Sequence, residues 1–231
     1  MSSKWSVKHI GKIMAAFIGL MILIAVLIYF IRQSYTPKPS IPNRGEQSVI
    51  ETYQQHFQAP YVLFNNCTLP DDSNGTTQID HVILSPYGIF VLETKDYQGW
   101  IFGLEYDKTW RQTLSRHKKY EFQNPIRQNF KHIKVLQHVL KDVVDPQYFH
   151  SVIVFTARSQ FKNQMPAYVC HGDAWVNYIH SFQHQVISPM KLKRIQLHLE
   201  KHLLANTQAT EQLHIENLKR KYAEQHQQKS P

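Results

Sequence analysis

One stretch constrains the fold more than any other: Ile79-Asp80-His81-Val82-Ile83-Leu84, then Ser85-Pro86-Tyr87-Gly88, then Ile89-Phe90-Val91-Leu92-Glu93-Thr94-Lys95. Two apolar runs flank four turn-forming residues. A parallel crossover needs a dozen or more residues, so this short link makes the runs an antiparallel hairpin. Asp80, Glu93 and Lys95 interrupt segments that otherwise read as buried. Side chains alternate faces along a strand, so Glu93 and Lys95 share one face of the second strand. Asp80 and Gln78 share a face of the first and approach that pair if the register allows.

The surrounding pattern supports a compact α/β domain. Val49, Ile50, Tyr53 and Phe57 recur at helical spacing and predict a helix over 44–57, with Glu46 in its first turn where a carboxylate suits the helix dipole. Strands are expected over 61–68, 78–84, 89–95 and 150–156, with a further short one over 167–170. Two more, over 100–103 and 109–112, are expected to extend the same sheet. Asn124-Pro125 opens a helix, since Asn caps and Pro is favoured in the first turn. Ile126, Phe130, Ile133, Leu136 and Leu140 supply its apolar face. Trp100 and Phe102 read as sheet-packing residues. Segments 173–182 and 189–204 read as helices, and the tail from Thr210 is polar and helix-prone. No internal repeat is visible.

Residues 13–31 form an uncharged apolar run of 19 residues. At ~1.5 Å per residue it just reaches across a ~30 Å hydrocarbon core, and no small-residue cleavage site follows it. The expected organisation is a basic N-terminal segment (1–12), a transmembrane helix (13–31), a proline-bearing linker (32–42), the α/β domain with its C-terminal helices (43–205) and a polar tail (206–231). A lipid bilayer is then one partner. Lysines and arginines on the two sides of the run are nearly balanced, with a slight lean toward a cytoplasmic N-terminus that would put the main domain outside.

The formal charge of +9 favours a polyanionic partner or a basic membrane-facing surface. Arg111, Arg116, Lys118 and Lys119 follow the hairpin, and Arg127 and Lys131 lie on the next helix; all six are candidates for phosphate contact. Nothing resembles a base-reading motif. Cys67 and Cys170 leave the redox compartment open. The pairs His180/His184 and His198/His202 share helix faces but lack the further ligands of a zinc site.

A carboxylate pair holds a hard divalent ion through oxygen. Such an ion polarises a phosphate and lowers the pKa of bound water, while a neighbouring lysine orients that water or stabilises developing charge. An internal salt bridge would use the same residues, and spacing alone does not separate the two.

The landmarks Gly45-Glu46, Gln78-Ile79-Asp80-His81-Val82, Gly88 through Lys95, Trp110, Gln112 and Gln123-Asn124-Pro125 together resemble the nuclease-related domain, NERD. That family is similar to the restriction-endonuclease-like PD-(D/E)xK superfamily. The resemblance covers roughly residues 40–160 and implies a mixed sheet with flanking helices. It implies Asp80 and Glu93 as ligands of Mg²⁺ or Mn²⁺, Lys95 as the catalytic lysine, Glu46 as a third carboxylate and Gln112 as a supporting residue. Ile79 stands where the superfamily's namesake proline would be; inside a strand, Ile keeps the ladder hydrogen bond that Pro would lose. The expected function is a membrane-anchored, divalent-metal-dependent nuclease acting on DNA, with RNA as a further substrate class. A noncatalytic nucleic-acid-binding or scaffold module on the same fold is the alternative. The expected location is the inner or plasma membrane, with the main domain facing the cytoplasm.

Overall fold

The computed structural model describes residues 12–14, 17–26, 42–71, 75–205, 210, 212–217 and 219–220. The chain divides into two units, Met1–Lys38 and Pro39–Pro231. In the first unit the described helical stretches are 12–14 and 17–26. Among the described residues no helix is long and apolar enough to cross a membrane. The expectation of a single-pass membrane protein is corrected on that finding. Residues 15–16 and 27–31 of the expected span, the segments 1–11 and 32–41, and most of the tail lie outside the described residues.

In the second unit the described helices that frame the sheets are α1 (Arg44–His56), α2 (Pro125–Val139), α3 (Ala174–His180) and α4 (Pro189–His202). Its nine strands are β1 (Val62–Pro70), β2 (Thr76–Ser85), β3 (Gly88–Lys95), β4 (Gly99–Phe102), β5 (Thr109–Ser115), β6 (Lys118–Gln123), β7 (Phe149–Phe155), β8 (Ser159–Phe161) and β9 (Val169–His171). The main sheet runs β1-β2-β3-β7-β9. The expected β2–β3 hairpin is antiparallel, with Ser85 facing Gly88. Ser85 closes it: its hydroxyl accepts from the Tyr87 N–H at 3.1 Å and donates to the Gly88 carbonyl at 3.0 Å. β3 pairs with β7 in parallel, and β7 with β9 likewise.

Strands β4 and β5 do not extend that sheet, as the sequence reading expected. They form a second sheet, β6-β5-β4-β8. Residues 96–98 redirect the chain, and Gly99 at φ +82 takes a backbone angle that a side chain would resist. Trp110 is buried in this second unit of packing, but Trp100 is 49 % exposed, with Lys162 Nζ 4.6 Å above its ring. Trp100 is therefore a surface residue, against the expectation of sheet packing.

Alternation along the hairpin builds two cores. Val82, Leu84, Ile89 and Val91 point to the face covered by α2 and α4 through Ile133, Leu136, Ile195 and Leu199. Ile83, Phe90 and Leu92 point to the other face, under Val49 of α1 and Trp175 and Ile179 of α3. Helix α2 is fixed tightly. Asn124 caps it, accepting from the Ile126 N–H at 2.9 Å, and its amide donates to the carbonyls of Glu105 and Asp107. The buried Asn129 then donates to the Val91 carbonyl and to Ser151 Oγ, both at 2.8 Å. With Asn129 turned inward, Phe130 is rotated by about 100° about the helix axis and left 58 % exposed, off the apolar face where it was expected.

Candidate active site

The site forms where the hairpin's two strands part. Ladder pairing of β2 with β3 ends at His81 opposite Leu92. Beyond that point a side chain replaces the ladder acceptor: Asp80 Oδ2 accepts the Thr94 N–H at 2.7 Å. Asp80 is thus brought to the face of Glu93 and Lys95. Lys95 Nζ donates to Glu93 Oε1 at 2.6 Å and to Gln128 Oε1 at 3.0 Å. Glu93 is 2 % exposed. His132 Nε2 lies 3.2 Å from Glu93 Oε2, in a contact that is not aligned as a hydrogen bond. The end of β3 is held by its neighbour: the Thr156 N–H donates to the Lys95 carbonyl at 3.1 Å, and Asp96 accepts from Thr156 Oγ1 and pairs with Arg158 at 2.7 Å.

Glu46 comes to this end of the sheet through α1. Asn43 accepts from the Gly45 and Glu46 N–H groups, and the Glu46 side chain reaches back to Asn43, completing a capping box. Gly45 permits the approach, since a Cβ there would lie 2.9 Å from Asp96 Cβ and 3.1 Å from Thr94 Cγ2. The charge of Glu46 acts on Asp80.

The electrostatics split the two hairpin carboxylates. Burial, and then the charge of Glu93, push the Asp80 carboxyl well above the usual carboxylate range; the Thr94 N–H opposes this. Burial also pushes the Glu93 carboxyl up, but His132 and Lys95 outweigh it and hold the group below its ordinary range. For Lys95, burial favours the neutral amine, and Glu93 more than reverses that, so it stays charged. His81, on the opposite face of β2, is fully buried; burial pulls its imidazole down to about 4.

Lys95 opens onto a cleft of about 940 Å³. Arg127, Gln128, Lys131 and His132 of α2 form one wall; Thr76, Thr77 and Gln78 of β2, with Lys108, Tyr97 and Phe122, form others. Lys95, Lys108, Arg127 and Lys131 outnumber the two acids there, Asp71 and Glu121. Glu93 sits behind Lys95 and His132. Of the other cations expected to meet phosphate, Arg111 packs over the Phe102 ring at 4.8 Å and lines a separate depression with Asp107 and Glu121. Arg116 lies in the β5–β6 turn and Lys118 and Lys119 begin β6, all exposed. Gln112 is in the second sheet, its amide donating to the Gln98 carbonyl at 2.8 Å. The structure therefore joins Asp80, Glu93, Lys95, Arg127 and Lys131 about one region, and leaves Gln112 and Arg111 with other partners.

Gln128, His132 and Thr77 were missed by sequence reasoning. Their only signal was indirect: the Asn124-Pro125 start sets the phase of α2, and positions 128 and 132 then share a face. The donor chemistry at Asp80 and Glu93 suits a hard divalent cation. The two carboxylates repel one another, and Glu93 Oε2 accepts no aligned hydrogen bond among the described residues. Among those residues, however, no group of three or more His, Cys, Asp or Glu is arranged to hold a metal ion.

The sequence model of the nuclease-related domain, NERD, matches residues 41–156, from the start of α1 through β7. An uncharacterized protein of Bacillus anthracis is 39% identical over 123 residues. That alignment takes in 52% of this chain, and the chain spans 57% of the length of that relative. No solved structure matches the chain.

Proposed function

Since this chain belongs to the nuclease-related domain family, we propose that it hydrolyses phosphodiester bonds in DNA with the help of a divalent ion. Family membership carries a nuclease-related function, nucleic-acid binding and a general divalent-metal requirement; the substrate, the ion and the residues are our reading. The observation that supports it most is the Lys95 ammonium, held 2.6 Å from a buried carboxylate at the floor of a basic cleft.

Arg127 and Lys131 hold backbone phosphates along the α2 wall and set the strand over Lys95. Lys95 orients the attacking water and stabilises charge developing on the non-bridging oxygens. Water attacks phosphorus and releases a proton to solvent, the P–O3′ bond breaks, and the 3′-oxygen leaves with the bonding pair and takes up a proton from solvent. Asp80 and Glu93 would hold Mg²⁺ or Mn²⁺, whose chemistry is to polarise the phosphate and lower the pKa of water.

The test is cleavage of circular and linear DNA by the full chain with Mg²⁺ or Mn²⁺, beside Asp80→Ala and Lys95→Ala. Cutting by the native chain that both folded variants lose is the expected result. Absence of cutting by the folded native chain, with both ions and both DNA forms, overturns the reading. It would favour a module that binds nucleic acid without cutting it, which the sealing of Glu93 behind Lys95 and His132 also suits.

A further inference from the structure

We propose that Gln128 and His132 of α2 are positioning residues that fix the Lys95 ammonium and the Glu93 carboxylate for the reaction; this rests on the nuclease reading above.

The two residues lie one turn apart on the same helix face. Their height over β3 is locked by Asn129 between them, which holds the Val91 carbonyl and Ser151 Oγ. Gln128 Oε1 accepts from Lys95 Nζ at 3.0 Å, so the ammonium is held between an amide oxygen on the cleft side and Glu93 Oε1 behind it. His132 takes the other side of the carboxylate, with Nε2 3.2 Å from Glu93 Oε2. Its own ring is held from β2, with Nδ1 3.0 Å from Thr77 Oγ1. Thr77, His132 and Glu93 thereby link β2, α2 and β3 through side chains alone.

This arrangement restrains both ends of the carboxylate. With a single partner, Glu93 could rotate about its terminal torsion, and Lys95 could swing into the cleft. With Lys95 hydrogen-bonded to Oε1 and His132 Nε2 3.2 Å from Oε2, each oxygen has a neighbour that limits its movement. Packing alone does not call for a histidine here. His132 is 7% exposed, one residue before Ile133 and four before Leu136 of the apolar core, where a leucine would bury more apolar surface. Partners that orient a ligand-type carboxylate are worth roughly tenfold to hundredfold in metal affinity or activity.

The experiment compares the full chain with His132→Leu, His132→Gln and Gln128→Leu. Three quantities are read: kcat and KM on linear DNA, affinity for Mn²⁺ alone by calorimetry, and the thermal midpoint. A glutamine at 132 places an amide nitrogen near the position of Nε2. The expected result is a roughly tenfold to hundredfold loss of kcat in both leucine variants, with KM changed by less than about twofold. Mn²⁺ affinity falls in His132→Leu, and His132→Gln recovers most of both losses. Native-like kcat and Mn²⁺ affinity in His132→Leu would overturn the proposal while leaving the nuclease reading intact. So would losses that only follow a lower thermal midpoint and are not rescued by His132→Gln. A native chain that binds Mn²⁺ without cutting DNA removes the nuclease reading, and the positioning role is then judged on Mn²⁺ affinity. A native chain that neither binds Mn²⁺ nor cuts overturns both.

Discussion

Acid should destabilise this fold through His81 before it titrates most of the carboxylates. The residue is fully buried, its Nδ1–H donates to Asn65 Oδ1 at 2.7 Å, and Nε2 has no hydrogen-bond partner among the described residues. That is the pattern of a neutral imidazole, and burial lowers its pKa from 6.5 to about 4. Between those values the unfolded chain binds a proton that the native chain refuses. Stability is therefore intact above about pH 6.5 and is lost as the pH falls toward 4. At ~1.4 kcal/mol per pH unit the full loss is on the order of 3 kcal/mol. Against a typical ~5–15 kcal/mol of total stability, that is a large share. Urea unfolding at several pH values measures it, with His81→Asn as the control. Asparagine keeps a donor near Asn65 but does not titrate; the cavity it leaves costs about 1–3 kcal/mol at every pH. The variant should start less stable and lose on the order of 3 kcal/mol less between pH 6.5 and 4. Equal acid dependence in the two proteins would refute this account, as would a His81 ring resonance that titrates near its ordinary value.

Three further outcomes are expected. Lys95→Met should destabilise the fold by about 2–3 kcal/mol, less than a fully sealed pair because Lys95 touches the cleft, and Glu93→Gln in the same chain should recover much of that in a urea titration. Asp80→Asn should raise stability at pH 7 by about 1 kcal/mol, because it removes a buried charge facing Glu93 yet can still accept the Thr94 N–H. Since the Asp80 carboxyl is raised, native Asp80 gains its proton first on acidification, and the advantage of the variant should disappear there; DNA cleavage should be lost at every pH. Burial pushes the Cys170 thiol up to about 11 and the Cys67 thiol higher still, so neither should react with a thiol reagent in the native chain within the time urea-unfolded protein takes to react fully.

The parts legible in the sequence were those with strong local rules. A four-residue link and a two-residue period were enough to place the hairpin and to put Glu93 and Lys95 on one face. Asn124-Pro125 marked the start of α2. What escaped was decided over distance. The second sheet depends on short strands: β8 has three residues, and β6, Lys-Lys-Tyr-Glu-Phe-Gln, reads as a basic surface segment. Its pairing with β5 is visible only in three dimensions. Gln128 and His132 looked like ordinary polar positions on an amphipathic helix, because the partners that give them meaning lie 33 and 39 positions away. Phe130 and Trp100 were read by hydrophobicity, which does not register a neighbouring cation as a substitute for burial. The apolar run at 13–31 was long enough by count, yet among the described residues no helix is long and apolar enough to cross a membrane.

The parallel pairing of β3 with β7 has a bearing on how the protein is made. Two strands adjacent in the sheet are separated in the chain by β4, β5, β6 and α2, so their union closes a long loop. During synthesis Asp80, Glu93 and Lys95 leave the ribosome with the hairpin, well ahead of Gln128, His132 and Phe155. The hairpin's charged end has neither its lid of α2 side chains nor its neighbouring strand until those residues follow. Arrest of synthesis before α2 leaves all three charged residues in a nascent chain without the α2 wall of the cleft, and pulse-labelled exchange on arrested chains should find the Thr156 amide, which bonds the Lys95 carbonyl, protected only once β7 has paired with β3.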